Sequence, residues 1–469
     1  MKLVLPLLIL FGLLSTTYGE FRAGAASSNI TPGMGVPLDG AIMQTGPAKD
    51  IHDELWARCL VLSDGTSKLA IVIVDNTMIS REIFDEAKRR IEIECGIPSA
   101  NVCLAATHSH STPRGVVGLV DSELHRDYLD FLAVRIADGV KRADNRLVPA
   151  EAGWGSFEEP RFVHNRRWFV RNPVKSPFGE ATETILMNPG KSADLDRPTG
   201  PVDSEFFVFA VRRKTDQKPI ALLGNYGLHY VGGVPGGTVS ADYFGSYADA
   251  IQKRWSGDHL DPPFVGMLSN GTSGDVNAID FKAPRVRFEK YERMNGIAAE
   301  LADKTQALLE TVTYSDVLPL RSVASELELK VRKPGVDRLE WAGKNRAPEN
   351  TKFRLPRPQI YAREALHLAN FPDVVSVPLQ VFRIGDLAVV QSPCETFAET
   401  GLAIKAGSPF ADATFTIELA NGYFGYLPPE NQFQHGGYET WPARSSFLEE
   451  SAETKIRAEL LRLLSEINR

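Results

Sequence analysis

A chain of 469 residues, 43% hydrophobic and 24% charged, has an ordinary globular composition, sized for one large α/β domain or two to three smaller ones. Its formal charge of −7 offers no basic field to nucleic acid or to an anionic membrane, so a nucleic-acid role is excluded as the expected one. The four cysteines, Cys59, Cys95, Cys103 and Cys394, form no C-x-x-C pair and read as mostly buried free thiols, with a disulfide allowed but not required.

In chain order, Met1-Lys2-Leu3, an apolar run from Val4 to Leu14 and the small residues up to Gly19 predict a signal peptide over residues 1–19. The run is short for a membrane span, which needs about 20 residues. No later stretch is long and apolar enough, so the expected product is exported, either secreted or periplasmic. Cleavage before Glu20 would leave residues 20–469 as the mature chain. Residues 21–40 are rich in Gly, Pro and Ser and read as a surface segment. Leu69–Asp75 predicts a buried strand and Arg81–Glu94 a helix, followed by a strand over Val102–Ala106 and a helix over Asp127–Ala143. Further strands are expected at Phe206–Arg212, Ile220–Tyr226, Phe264–Leu268, Leu387–Gln391 and Phe415–Ala420. Helices are expected at Tyr243–Trp255, Glu289–Glu310 and Phe447–Ile467, the last with a capping signal at Ser446-Phe447-Leu448-Glu449. Residues 313–372 are polar and read as an edge strand plus a helical surface excursion. Alternating strands and helices predict an α/β fold: a mostly buried mixed sheet covered by helices, with a site at strand carboxyl ends.

Several predicted strands end in chemistry-bearing residues. Thr107-His108-Ser109-His110-Ser111 follows Val102–Ala106, and alternation along a strand would aim both imidazoles to one side. His229 ends the run from Ile220, and Glu395 follows the Leu387–Gln391 strand and Pro393. Tyr426 and Tyr438 follow the last strand, and Asn270–Asn277 forms a tight polar loop. Two histidines and a carboxylate suit a catalytic zinc that keeps one position for water. Each also has a plain structural reading: a solvent-facing H-x-H, a core histidine, a helix-capping glutamate, packing tyrosines.

In combination these stretches resemble the catalytic domain of neutral/alkaline non-lysosomal ceramidases, zinc-dependent amidases, from about Phe21 to the last helix. Ala106-Thr107-His108-Ser109-His110-Ser111 is similar to the family's A-T-H-T-H-S, and Asn165-Arg166 to its N-R-S. Tyr226-Gly227-Leu228-His229 with Val239-Ser240-Ala241-Asp242 resembles F-A-T-H-P and S-S-D; Pro393-Cys394-Glu395 resembles P-G-E; Asn421–Tyr426 resembles N-x-Y-x-x-Y. The resemblance implies zinc held by His108, His229, Glu395 and Tyr426. It places His110, Arg166 and Tyr438 in the active site, and implies a lipid-like amide substrate with transient membrane-surface contact and no defined protein partner.

The chain departs from that pattern at two places. Asn277 stands where the family carries a serine, and Thr112-Pro113-Arg114 replaces G-P-G. Asparagine cannot act as a nucleophile but can donate to an oxyanion. The expected route is therefore attack by zinc-activated water on an N-acyl amide. Another lipid amide or ester, or a non-catalytic zinc-bearing protein, remains as an alternative. The family's C-terminal β-rich domain is not expected within this sequence.

Overall fold

The computed structural model describes residues 19–38, 46–117, 122–179, 182–190, 194–256, 260–348, 355–410 and 412–469. The predicted signal peptide lies almost entirely outside them.

Eight strands form the main sheet: β1 (Arg22–Asn29), β2 (Trp56–Ser63), β3 (Lys68–Val74), β4 (Val102–Ala106), β5 (Val148–Glu158), β6 (Glu205–Arg213), β7 (Pro219–Tyr226) and β8 (Val265–Asn270). Their spatial order is β8-β7-β6-β5-β1-β2-β3-β4. The pairs β3/β4 and β7/β8 are parallel and the rest antiparallel, a mixed sheet. A second sheet runs β9 (Leu320–Lys330), β10 (Val374–Ile384), β11 (Leu387–Gln391) and β12 (Thr414–Ile417), with only β11/β12 parallel.

The two sheets pack face to face. Leu60, Ile71, Ile73, Phe207, Phe209 and Met267 of the first meet Phe382, Val389, Phe415 and Ile417 of the second in one buried cluster. Period-two alternation sends Ala57, Cys59, Val61, Ala70 and Val72 to the opposite face. There they meet α1 (Arg81–Cys95) and α2 (Glu123–Asp144), through Phe84, Ile91, Leu132, Ile136 and Val140. Helices α3 (Asp242–Ile251) and α4 (Glu292–Leu309) cover the β6–β8 half. Beyond the second sheet, α5 (Val336–Lys344) and α6 (Arg357–Ala369) form the polar excursion, and α7 (Ala398–Gly407) and α8 (Ala452–Ile467) complete the outer layer. The expected α/β class with a helix-covered mixed sheet is what forms.

Three local expectations change. Residues 22–29 are a central strand, not a surface segment: a Cβ on Gly24 would lie 2.2 Å from the Ala143 carbonyl, so small residues there let the end of α2 sit on the sheet. Helix α8 begins at Ala452, five residues after Phe447. Ser446 does not cap it: its hydroxyl donates to the Glu439 carbonyl and accepts from Arg332, tying down an incoming loop. The third concerns His108 and is described with the site. All four cysteines are free thiols, three of them buried.

Candidate metal centre

The site forms where carboxyl ends of both sheets meet. Residues 418–421, just past β12, stitch them together. Glu418 N donates to Asn270 O at the end of β8, Ala106 N at the end of β4 donates to Leu419 O, and Asn421 N donates to Leu104 O. Leu419 and Asn421 have positive φ, 53° and 64°, so the chain doubles back between the sheets. Loops leaving β4, β7, β8, β11 and β12 thereby open onto one point.

His108 and His110 lie beyond the end of β4, not on it. The backbone at His108 is left-handed (φ 72°), and it is this turn, not strand alternation, that brings the imidazoles together. His108 N is held by Asn76 O, and its ring Nδ1 lies 2.6 Å from Thr77 O. A carbonyl can only accept, so Nδ1 carries the proton and the Nε2 lone pair faces inward. On His229, Nδ1 lies 3.1 Å from Ser273 O and 3.2 Å from Ser273 Oγ, which again leaves Nε2 unprotonated, with its lone pair inward and within 3.3 Å of Arg166 Nη1.

The two Nε2 atoms are 3.0 Å apart, and His110 Nε2 is 3.3 Å from that of His108. Glu395 Oε2 is 3.1 Å from His108 Nε2 and 4.0 Å from His229 Nε2, and this buried oxygen has no hydrogen-bond partner. Burial pushes the Glu395 carboxyl up, but His108, Tyr426 and Arg166 more than offset it, so it stays anionic. Burial, together with the Arg166 charge, holds His110 and His229 well below the ordinary histidine pKa, so both are neutral. Inward-facing lone pairs beside an unpartnered carboxylate oxygen repel one another unless a cation lies between them. This donor set fits a divalent metal of zinc type. The imidazoles of His108, His110 and His229 by themselves could hold a metal ion, their ligand atoms lying within 4.8 Å of one another.

Around the donors is a polar wall. Tyr423 Oη donates to Glu395 Oε1 at 3.1 Å, and Tyr426 hydrogen-bonds Glu395 and Tyr438. The rings of Tyr426 and Tyr438 are 5.3 Å apart. Burial and the Glu395 charge push both phenols up, so they stay protonated donors. Arg166 is buried with Nη1 3.3 Å from His229 Nε2; Glu439 (3.0 Å) and the Gly274 carbonyl (2.8 Å) hold it. Glu439 also pairs with buried Arg167 at 2.6 Å, which fixes the carboxylate that fixes Arg166.

The structure thus brings together His108, His110, Arg166, His229, Glu395, Tyr426 and Tyr438. Asn277 stands at the edge: its amide donates to Asn188 Oδ1 at 3.2 Å and its oxygen accepts from Ile279 N at 3.0 Å. Sequence reasoning passed over four supporting residues. Tyr230 stacks on His110, with centroids 3.8 Å apart and planes at 14°. Glu439 clamps Arg166. Ser273 accepts the hydrogen bond from His229 Nδ1–H, and its hydroxyl donates in turn to Glu418 Oε1 at 2.7 Å, while Ser273 N and Thr396 N donate to Oε2. The only signal for that relay was a charged residue within the apolar run Phe415–Ala420, since a buried carboxylate needs donors.

Set against known proteins, residues 21–281 match the family model described as neutral/alkaline non-lysosomal ceramidase, N-terminal. That span holds the three histidines and Arg166, whereas Glu395, Tyr426 and Tyr438 lie beyond it. Among solved structures, the neutral ceramidase from Pseudomonas aeruginosa superposes with a TM-score of 0.66 at 17% identity, over 96% of this chain and 74% of that one. A ceramidase complexed with C2 superposes at 0.68 and 16% identity, over 96% and 75%. At such identity these likenesses establish the fold. No curated protein matches the sequence.

Proposed function

The chain belongs to the neutral/alkaline non-lysosomal ceramidase family, and from that premise we propose that it is a zinc-dependent amidohydrolase. Its substrate would be a ceramide-like N-acyl amide, cleaved to a sphingoid base and a fatty acid. The observation that carries the reading is the meeting of His108, His229 and the unpartnered Glu395 oxygen beneath Tyr426, Tyr438 and Arg166.

His108, His229, Glu395 and Tyr426 would hold the zinc, which when bound would supply a Lewis acid to polarise a carbonyl and acidify water. The residues do the rest. Neutral His110, held flat by Tyr230, accepts the proton of the attacking water and returns it to the departing nitrogen. Tyr438 and Arg166 donate to the oxygen that becomes negative, each good donor being worth about 3 kcal/mol. Asn277 is the fourth candidate donor, and would have to leave Asn188 to act. With no serine at that position, direct hydrolysis replaces an acyl-enzyme there.

Asn277 is also the observation favouring a second reading, hydrolysis of a different lipid amide or ester at the same centre. Export after removal of residues 1–19, and a single catalytic domain over 20–469, complete the proposal. Among the described residues no helix is long and apolar enough to cross a membrane. The test is release of free sphingoid base from a short-chain ceramide, read by mass spectrometry with and without a zinc chelator. Chelator-sensitive release supports the reading. Zinc-loaded protein that releases none keeps the centre and discards ceramide.

A further inference from the structure

Residues 279–290, Ile-Asp-Phe-Lys-Ala-Pro-Arg-Val-Arg-Phe-Glu-Lys, form no helix or strand and lie on the surface. Three large apolar side chains there are open to solvent: Val286 is 66% exposed, Phe288 47% and Ile279 43%. Interleaved with them are Lys282, Arg285, Arg287 and Lys290, against Asp280 and Glu289 as the only acids. Asp280 spends Oδ1 on the backbone N–H groups of Lys282 and Ala283. Arg285, Arg287 and Lys290 have no ion-pair partner among the described residues. In a chain of net charge −7 this is a local reversal of sign coupled to exposed apolar surface.

Both ends of the segment are fastened to the rim of the metal centre. Upstream, Val276 and Asn277 pair with Asn165 and His164, next to Arg166, and the Gly274 carbonyl holds Arg166. Downstream, Tyr291 N donates to Gly233 O, in the loop that carries Tyr230 against His110. Tyr291 also stacks on His52 with centroids 3.6 Å apart, and Arg293 holds the Ala278 carbonyl. The ends are pinned while Val286 and Phe288 stay open to solvent, the Phe288 ring with Arg293 5.2 Å from its centroid.

The geometry points to residues 279–290 as an interfacial anchor that seats the mouth of the metal centre on an anionic lipid surface. Val286 and Phe288 enter the headgroup–acyl boundary while Arg285, Arg287 and Lys290 reach lipid phosphates, their stems lying along the apolar layer; Lys282 stays with the Asp196 carbonyl and the Trp168 ring. The inference rests on the lipid-amide reading for its purpose, because a lipid substrate has to be taken from a surface. Its test does not depend on turnover.

The experiment is co-sedimentation of the full chain with vesicles of phosphatidylcholine alone or mixed with phosphatidylglycerol, at low and high salt. The chain is expected to bind the mixed vesicles, and to release as salt rises. The double variant Arg285→Gln/Arg287→Gln should lower the partition coefficient about 30-fold, from about a fivefold loss per charge near the surface. Arg285→Lys/Arg287→Lys should restore it, and Val286→Ser/Phe288→Ser should weaken binding at every salt concentration. His229→Ala should bind vesicles as the parent does, which separates failure of the anchor from failure of the catalytic reading. Absence of vesicle binding by the parent chain, or variants that bind as the parent does, would overturn the inference. So would a dimer that Val286→Ser/Phe288→Ser dissociates without affecting vesicle binding, since the patch would then serve a second copy.

Discussion

His229 shows how much of the site depends on residues that never reach the substrate. Its Nδ1 is held by Ser273, and Ser273 is held by Glu418, so the inward lone pair is oriented by two residues behind the ring. Partners of this kind are worth about 10–100-fold in metal affinity. Ser273→Ala should lower zinc affinity by that order, read by competition with a chromogenic chelator. Glu418→Gln should do the same and also destabilise the fold by about 1–3 kcal/mol, because the amide oxygen that keeps Ser273 N and Thr396 N turns the NH2 toward the Ser273 hydroxyl, which loses its acceptor. Tyr438→Phe is expected to act differently. Zinc content and KM should hold while kcat falls about 100-fold, the cost of one missing oxyanion donor. A Tyr438→Phe variant with unchanged kcat would place that hydroxyl outside the reaction.

Among the elements, those with an unambiguous period were legible. The continuous apolar run of β3, the stripe of α2 and the Leu387–Gln391 strand fall within a few residues of expectation. The central strand β1 was not legible, because Arg-Ala-Gly-Ala-Ala-Ser-Ser-Asn carries no large apolar side chain. Its smallness answers to the close approach of α2, a tertiary demand invisible to local pattern. The donors were legible one by one as polar residues after strands. Their convergence was legible only through the family resemblance, because it depends on the left-handed turns at His108, Leu419 and Asn421 and on which strand ends adjoin. Gly274 illustrates that dependence. A Cβ there would lie 2.4 Å from the Glu395 carbonyl oxygen and 2.8 Å from its carbon, so backbone would have to shift under a metal donor. Gly274→Ala should therefore cost about 1–3 kcal/mol in denaturant unfolding and lose zinc at the same time. A variant that keeps both would show that the loop yields freely.

For the molecule as a whole, electrostatics outside the site set its acid limit. Glu159 is fully buried on its side chain and paired with Arg161 and Lys304, each at 2.6 Å. Arg161 first, then Lys304 against the opposing effect of burial, lower its pKa from 4.5 to about 2. Because the folded value lies below the unfolded one, the pair's contribution is present above pH 4.5 and is lost as pH falls toward 2. Its partners are partly exposed, so salt should reduce the effect. Glu159→Gln should consequently unfold more readily than the parent at neutral pH, with the gap closing as the pH drops through that window. A gap independent of pH would assign the loss to packing.

If His108, His229, Glu395 and Tyr426 hold a catalytic zinc as proposed, turnover follows metal occupancy. The direct measurement is a zinc titration of metal-stripped protein, following cleavage of a short-chain N-acylsphingosine. Activity should rise with added zinc and break at one equivalent, and His229→Ala should show neither the rise nor tight zinc. Cleavage by the stripped protein that zinc does not change, or full activity in His229→Ala, would contradict a catalytic metal at this centre.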